Sequence, residues 1–352
     1  MSKPITSHAS SPPIAKRSDD DEERANMALI FNKYKGRITT LRKEKGWMTE
    51  NLYMYQGFWH QSGRRISIEA VMAIQDTFKV HPTDIYLATM PKSGTTWLKA
   101  LVFALVKRNK YKSDSLTHPL LVSNPHICLP FIESEIFRNT PTYVDGDSPR
   151  LLATHIAYTS LPQSIRDSSC RFVYLCRNPK DVLVSMFHFA NKLSNKSSGL
   201  MTFEEAFKMF SKGIMPNGPY WDHVKGYRKV SLEHPKNVLF LTYEEMSTNT
   251  TNIVKRLAEF LGYPFTEEEE AKGVVQEIVM LCGFDNLSEV NKHGNIREGI
   301  PNSVFFREGK VGDWKNHLTD EMSLVLDEIT KEKFHGLDIS FPNQVYKINH
   351  GE

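Results

Sequence analysis

A short polar turn between two apolar segments has the composition of an anion-binding site. Its residues are Pro91, Lys92, Ser93, Gly94, Thr95 and Thr96, and Trp97 follows. If a helix begins after the turn, its N-terminus presents unpaired N–H groups and a partial positive charge. Gly94 lets the main chain approach an anion closely, and the neighbouring hydroxyl groups add hydrogen-bond donors. These residues therefore predict a site for a phosphate-like anion.

The turn differs from the loop that binds nucleoside triphosphates. That loop reads G-x-x-x-x-G-K-[ST], whereas Lys92 precedes Gly94 by two positions and no lysine follows the glycine within the turn. An ordinary strand–turn–helix with a solvated Lys92 is the alternative interpretation.

A second pair of residues could hold another anion. Arg177 ends the apolar segment 170–177, and Ser185 lies about two turns into the helix predicted to follow it. An arginine at a strand end and a serine on the next helix can converge on one anion, and a guanidinium group suits forked contacts with phosphate. The alternative is a surface arginine and a packed serine.

Three strand-then-helix units would position these residues. Segments 84–90, 170–177 and 237–242 are short, apolar and rich in β-branched and aromatic residues, which is typical of buried strands. This alternation predicts an α/β fold, a single domain with a mostly parallel central sheet flanked by helices. Ligands of such sheets bind beyond the carboxyl ends of the strands, where Lys92, Arg177 and Tyr243 would lie.

The overall composition suits one folded domain with a polar extension. Residues 1–25 are polar and without periodicity, so we expect a disordered tail there and the folded domain over 26–345. The apolar fraction of 40% suits a packed core. The net charge of +3 is too small to suggest a general nucleic-acid binder.

Cysteine spacing and hydropathy favour a reducing, cytoplasmic compartment. The chain has four cysteines and none stand in C-x-x-C spacing, which argues against a zinc site or a disulfide framework. We find no apolar run of about 18 residues and no signal-peptide core. The sequence thus predicts a cytoplasmic protein with no metal and no membrane association.

The segment PKSGTTWLKAL resembles the 5′-phosphosulfate loop of the cytosolic sulfotransferases, in their plant branch of flavonoid, hydroxyjasmonate and steroid enzymes. The resemblance extends over roughly residues 45–340. It implies an enzyme that moves a sulfuryl group from 3′-phosphoadenylyl sulfate (PAPS) to a hydroxyl group of a small apolar acceptor. A flavonol, a phenol, a steroid or a hydroxyjasmonate would fit, and the sequence does not choose among them.

The resemblance implies a role for the turn and for one histidine. The residues that would hold the 5′-phosphosulfate are Lys92, Ser93, Gly94, Thr95, Thr96 and Trp97, with Lys92 also stabilising charge on the departing phosphate. His155 matches the family's general base, although Ala157 stands where the family has a proline that could stiffen the backbone. A lone histidine is otherwise more often structural than catalytic.

The resemblance also implies a site for the 3′-phosphate and the nucleotide. Arg177 and Ser185, in RNPKDVLVS, match the residues that hold the 3′-phosphate, and Tyr243 matches a tyrosine that contacts the nucleotide.

A glycine-rich segment near the end matches the part of the family that folds over the 3′-phosphate. Arg307 and Gly309 fit that pattern, whereas Glu308 replaces a lysine. This change should weaken nucleotide binding unless Glu308 points away and Lys310 compensates.

Two regions could border an acceptor pocket. Phe58 or Trp59 could line it, although aromatic residues mostly pack in cores. The loop residues 126–131 and Tyr143 could also border it.

Two other functions stay open on the sequence. One is a non-catalytic module that binds PAPS or PAP, the nucleotide left when PAPS loses its sulfuryl group, and Ala157 and Glu308 favour it. The other is an ATP-dependent phosphoryl transferase, which the missing Gly-Lys-[ST] disfavours. We expect a small-molecule hydroxyl acceptor as partner and no nucleic acid. A dimer motif of the animal enzymes is only partly kept, at Lys315 and Thr319, which predicts a monomer or a weak homodimer.

Overall fold

The structure is a computed structural model and describes residues 17–113, 116–138, 148–194, 200–297 and 300–341. The strands are β1 (Lys43–Lys45), β2 (Asn51–Tyr55), β3 (Phe58–Gln61), β4 (Ile85–Thr89), β5 (Leu151–Thr154), β6 (Arg171–Cys176), β7 (Val238–Thr242), β8 (Asn295–Arg297) and β9 (Ile300–Pro301). The helices are α1 (Arg17–Ile38), α2 (Ile68–Thr77), α3 (Thr95–Val106), α4 (Pro125–Cys128), α5 (Ile132–Glu135), α6 (Gln163–Arg166), α7 (Pro179–Leu193), α8 (Phe203–Ser211), α9 (Tyr220–Glu233), α10 (Tyr243–Thr248), α11 (Thr250–Leu261), α12 (Glu267–Ala271), α13 (Val274–Leu281), α14 (Phe284–Val290) and α15 (Asp320–Lys333).

In the described part of the chain, four strands form a parallel sheet in the order β5-β4-β6-β7. Ala88 of β4 lies between Thr154 of β5 and Tyr174 of β6, and Cys176 of β6 lies opposite Thr242 of β7. The three predicted strands are confirmed as β4, β6 and β7, and β5 adds a fourth at the start of the apolar run before His155. The predicted α/β fold with a parallel sheet is therefore confirmed.

Helices cover both faces of this sheet, which is why every residue of β4 is buried. Tyr86 belongs to one core cluster and Leu87, the next residue, to the other, as the alternation of side chains along a strand requires. The first cluster includes residues of α7, α9 and α15, and the second includes residues of α3, α11 and α13.

Part of the segment predicted to be a disordered tail is helical. Residues 17–25 belong to α1, whereas a disordered tail was expected over 1–25; residues 1–16 lie outside the described residues. Glu23 is buried and forms ion pairs with Arg65 and Arg138. These partners are distant in sequence, so a polar local composition did not reveal that the segment folds.

All four cysteines are free thiols. Over the described ranges, no three His, Cys, Asp or Glu side chains are grouped so that they could hold a metal ion. Within the same ranges, no helix has the length and apolarity needed to cross a membrane.

Candidate active site

The carboxyl edge of the parallel sheet borders a cavity of about 410 Å³. The segments that follow β4, β5, β6 and β7 each contribute to its wall. All the sequence-predicted site residues except Ser93 line it, namely Lys92, Gly94, Thr95, Thr96, Trp97, His155, Arg177, Ser185, Tyr243, Arg307, Glu308 and Gly309. The structure thus brings together residues that are up to about two hundred positions apart in sequence.

The turn after β4 depends on its glycine. Gly94 has φ 103°, in the left-handed region that glycine tolerates best, and it precedes the first residue of α3. A Cβ atom at this position would lie 2.6 Å from the Tyr243 ring. Gly94 provides no side-chain cap for α3, so the first N–H groups of this helix remain available to an anion.

Ser93 differs from its neighbours in the turn. Its side chain is fully buried, and its Oγ has no hydrogen-bond partner among the described residues. The N–H of Ser93 donates to the carbonyl of Met90, which folds the turn back on itself. Ser93 is therefore buried beside the cavity and is not among the residues that line it.

Lys92 supplies the positive charge of the turn under unusual conditions. Its Nζ lies 4.1 Å from the centroid of the Phe189 ring. Burial lowers the pKa of the Lys92 ammonium group to about 7. Arg177, Lys192 and Arg307 add to this effect, because like charges disfavour the protonated form. A bound anion would reverse this effect and hold the lysine protonated.

His155 has the protonation state of a base. Its Nδ1 lies 2.7 Å from the carbonyl oxygen of Thr89, and since a carbonyl can only accept, Nδ1 carries the proton. The lone pair is then on Nε2. Burial lowers the pKa of His155 to about 3, so the imidazole is neutral at pH 7.

The main chain of His155 is held on both sides by buried side chains. Its N–H donates to Glu133 Oε1 at 2.6 Å. Its carbonyl accepts from Asn217 Nδ2 at 3.2 Å and from His223 Nε2 at 3.1 Å. These three contacts could not be predicted from the sequence, because nothing in a local pattern shows a contact made across 22 to 68 positions.

Ala157 does not disturb the segment after the histidine. Its φ of −60° and ψ of 144° are values that proline also adopts. The preceding carbonyl, of Ile156, accepts a hydrogen bond from the Tyr227 hydroxyl at 2.8 Å. The backbone is therefore held in the conformation that a proline at this position would favour.

Arg177 and Tyr243 hold the glycine-rich segment against the sheet. Arg177 is nearly buried; its Nη2 donates to the Lys310 carbonyl at 2.6 Å, and its guanidinium lies 4.4 Å from the Tyr243 ring centroid. The Tyr243 hydroxyl donates to the Gly309 carbonyl at 3.0 Å. Arg177 Nε is buried without a hydrogen-bond partner among the described residues, which leaves a donor for an anion in the cavity.

We expect unweakened nucleotide binding only if Glu308 points away from the nucleotide and Lys310 compensates for its charge. Glu308 is among the residues that line the cavity, and Lys310 Nζ lies 4.0 Å from its Oε2. Both side chains are well exposed, so this pair only partly offsets the negative charge. Arg307, beside it, is paired with Asp313 at 2.6 Å.

The apolar wall of the cavity differs in part from the expectation. Phe58 and Trp59 are buried and do not line it; Trp59 packs in the core. His126 and Phe131 do line it, as expected for 126–131, and Tyr143 lies outside the described residues. The wall also includes Met48, Ile66, Met186, Phe189 and Phe305.

Comparison with known proteins agrees with this arrangement. The sulfotransferase domain family matches residues 82–338. Cytosolic sulfotransferase 12 of Arabidopsis thaliana is 43% identical over 92% of this chain and 96% of its own length. Flavonol 4′-sulfotransferase of Flaveria chlorifolia is 46% identical over 85% of this chain and 89% of its own length.

Solved structures show the same fold. A crystal structure of an Arabidopsis thaliana protein, described as a candidate steroid sulphotransferase, superposes with a TM-score of 0.69 at 38% identity and covers 94% of this chain and 100% of that one. The mouse sulfotransferase SULT7A1 complexed with PAP has a TM-score of 0.59 at 27% identity, over 82% of this chain and 96% of that one.

The matching family model and these relatives identify the chain as a sulfotransferase. The chain belongs to the cytosolic sulfotransferase family, in the branch that the plant enzymes form. The family and the enzyme class predicted from PKSGTTWLKAL are thereby confirmed.

The lowered pKa of Lys92 predicts a pH dependence of nucleotide binding. We expect the affinity for PAP to fall by a factor on the order of 10 to 100 between pH 7 and pH 9, because the free protein then loses the Lys92 proton. Lys92→Arg should bind with little change over this range, since arginine stays protonated. Calorimetric titration at several pH values checks both. Equal pH dependence in the two proteins would contradict the assignment to Lys92.

Proposed function

We propose that this enzyme transfers the sulfuryl group of PAPS to a hydroxyl group of a small apolar acceptor, in the cytoplasm and as a monomer or weak homodimer. The observation that carries the proposal is that the turn at Lys92, Arg177 and a neutral His155 face one cavity. The turn supplies a place for an anion beside the proton acceptor that a hydroxyl nucleophile needs.

The donor would occupy the side of the cavity between the turn and the glycine-rich segment. Lys92 and the N-terminus of α3 would hold the 5′-phosphosulfate. Arg177, with an unsatisfied buried Nε, and Ser185, on the cavity-facing side of α7, would hold the 3′-phosphate. Tyr243 would pack against the nucleotide. The positive charges at this end suit a donor with several negative charges.

In the transfer step, His155 Nε2 accepts the proton of the acceptor hydroxyl as its oxygen bonds to sulfur. The bond between sulfur and the 5′-phosphate oxygen breaks, and PAP leaves with the bonding electrons. Lys92 and the N–H groups of α3 stabilise the negative charge that develops on this oxygen. The chain thus contributes positioning, proton removal and charge stabilisation.

The acceptor would lie against the apolar wall near His155. Phe131 lies with its ring centroid 4.6 Å from that of His155, and Phe189, Met186 and Ile66 also line the cavity. Aromatic and apolar side chains favour a flat ligand with few charges. A flavonol, phenol, steroid or hydroxyjasmonate meets this description, so the chemical class is a hydroxylated apolar small molecule.

The proposed contact of Arg177 with the 3′-phosphate predicts a selective loss of affinity. Arg177→Met should weaken binding of PAP by about 10-fold to 100-fold, the equivalent of one hydrogen bond to a charged group. AMP, which lacks the 3′-phosphate, should lose far less. Calorimetry with both nucleotides measures the difference, and Arg166→Met, at an exposed arginine of α6, serves as the control. Equal losses for PAP and AMP would rule out the 3′-phosphate assignment.

The proposed role of His155 predicts a defect in turnover alone. His155→Ala should lower kcat by a factor on the order of 100 or more, because the proton acceptor is lost. The affinity for PAP should stay within about two-fold, since His155 does not hold the nucleotide. Sulfate-transfer kinetics and calorimetry measure these two quantities, with the exposed His335→Ala as the control. Near-normal turnover of the alanine variant would show that another group removes the proton.

The reaction itself is tested with labelled donors and a panel of acceptors. We expect transfer of labelled sulfate from PAPS to at least one of the flavonols, simple phenols, steroids or hydroxyjasmonates, and no transfer of phosphate from ATP. Tight binding of PAP without transfer to any acceptor would instead favour a non-catalytic module. Absence of PAP binding would overturn the assignment of Lys92 and Arg177.

A further inference from the structure

A buried acidic side chain lies behind the histidine. Glu133 of α5 is fully buried. Its Oε1 accepts hydrogen bonds from the His155 N–H at 2.6 Å and from the Thr154 hydroxyl at 3.1 Å. Its Oε2 is also buried and has no hydrogen-bond partner among the described residues. A carboxylate is costly to keep in such a place, so a compensating charge is needed.

A buried lysine provides that charge. Lys99 of α3 is fully buried, and its Nζ lies 3.3 Å from the centroid of the Phe131 ring. The Phe131 ring is in turn 4.6 Å from the His155 ring, so Phe131 lies between the buried lysine and the histidine that lines the cavity. Glu133 comes two residues after Phe131. Burial raises the pKa of Glu133 to about 7, and the positive charge of Lys99 opposes that rise.

The groups that face Glu133 come from three other elements. They are Lys99 of α3, Thr154 and His155 at the end of β5, and Tyr227 of α9, whose pKa is raised by burial and by the charge of Glu133. The imidazole of His155 and the phenol of Tyr227 both stay neutral between pH 5 and pH 9. A change in the charge of Glu133 near neutral pH is therefore felt directly at the main chain of His155.

We propose that Glu133, supported by Lys99, is a positioning residue for His155, and that its ionised carboxylate holds the main chain of the base so that Nε2 meets the acceptor hydroxyl. The inference rests on the proposed function of His155. Protonation of Glu133 weakens the hydrogen bond to the His155 N–H, because a charged acceptor binds an N–H more strongly than a neutral one. The acidic limb of the pH–rate profile then reports Glu133.

This role can be told apart from a merely structural one. Because folding raises the pKa of Glu133, the stability that this group contributes is present below pH 4.5 and is lost as the pH rises through about 7. At pH 8 the ionised carboxylate therefore destabilises the folded state. Its removal should not lower the melting temperature at pH 8, whereas removal of a merely structural carboxylate would.

The first test is Glu133→Gln, which keeps the shape of the side chain and removes its charge. At saturating PAPS and acceptor we expect kcat at pH 8 to fall by about 10-fold to 100-fold, as for a displaced catalytic group. The parent enzyme should lose activity as the pH falls below about 7, and the variant should lack this limb. PAP affinity and the melting temperature at pH 8 should not decrease. Glu135→Gln, at a neighbouring buried carboxylate paired with Arg138, is the matched control: it should keep the kcat and the acidic limb of the parent while its melting temperature at pH 8 falls.

The second test separates the roles of Lys99 and Glu133. Lys99→Met keeps an unbranched chain beside Phe131 without the charge, so the acidic limb of kcat should move to higher pH. Because Lys99 acts through Glu133, the double variant Lys99→Met/Glu133→Gln should be no slower than Glu133→Gln alone.

Three outcomes overturn the proposal: an unchanged kcat in Glu133→Gln, an acidic limb that persists in it, or a loss of kcat that follows a loss of PAP binding. Failure of the proposed function would show itself differently. His155→Ala would then keep its turnover, or the parent would transfer no sulfate, whatever Glu133 does.

Discussion

The parallel register of the central sheet is the constraint on which the site depends. Parallel strands end at the same edge, so the residues that follow β4, β5, β6 and β7 must meet there. Lys92, His155, Arg177 and Tyr243 follow these four strands. A shift of one residue between neighbouring strands would exchange the two core faces and move these side chains apart. The two apolar clusters on the faces of the sheet, which reach the cavity at Met186 and Phe131, therefore help to set the geometry of the site.

The electrostatics of the cavity reflect burial as much as sequence. Burial lowers the pKa of Lys92, and repulsion from the cations around the same space lowers it further. A highly charged donor relieves this repulsion and restores a protonated lysine. His155, in contrast, is kept neutral by the same burial, since desolvation disfavours the imidazolium. Under the proposed function, one low-dielectric cavity would thus offer a cationic end to the donor and a neutral base to the acceptor.

Much of this could be predicted from the sequence, because the informative motifs are local. The strand, the turn at Gly94 and the helix after it are adjacent in sequence, and their chemistry follows from residue types alone. The remaining features depend on contacts between distant positions. Glu133 and His223 form hydrogen bonds with the main chain of His155 from other elements, and Glu23 of α1 forms an ion pair with Arg65. None of these contacts produces a periodic pattern in the sequence. Whether an aromatic side chain lines a cavity or packs in the core, as Trp59 does, likewise depends on its neighbours in space.

Ala157 illustrates how a departure from a family pattern can leave a native structure unchanged. Its φ of −60° is already that of a proline, and the main chain before it is anchored by hydrogen bonds with four side chains. What alanine changes is the unfolded chain, which gains backbone freedom that a proline would have removed. That entropy is worth about 0.4–1 kcal/mol. The substitution therefore makes the enzyme slightly easier to unfold, while the catalytic geometry of the folded molecule stays the same.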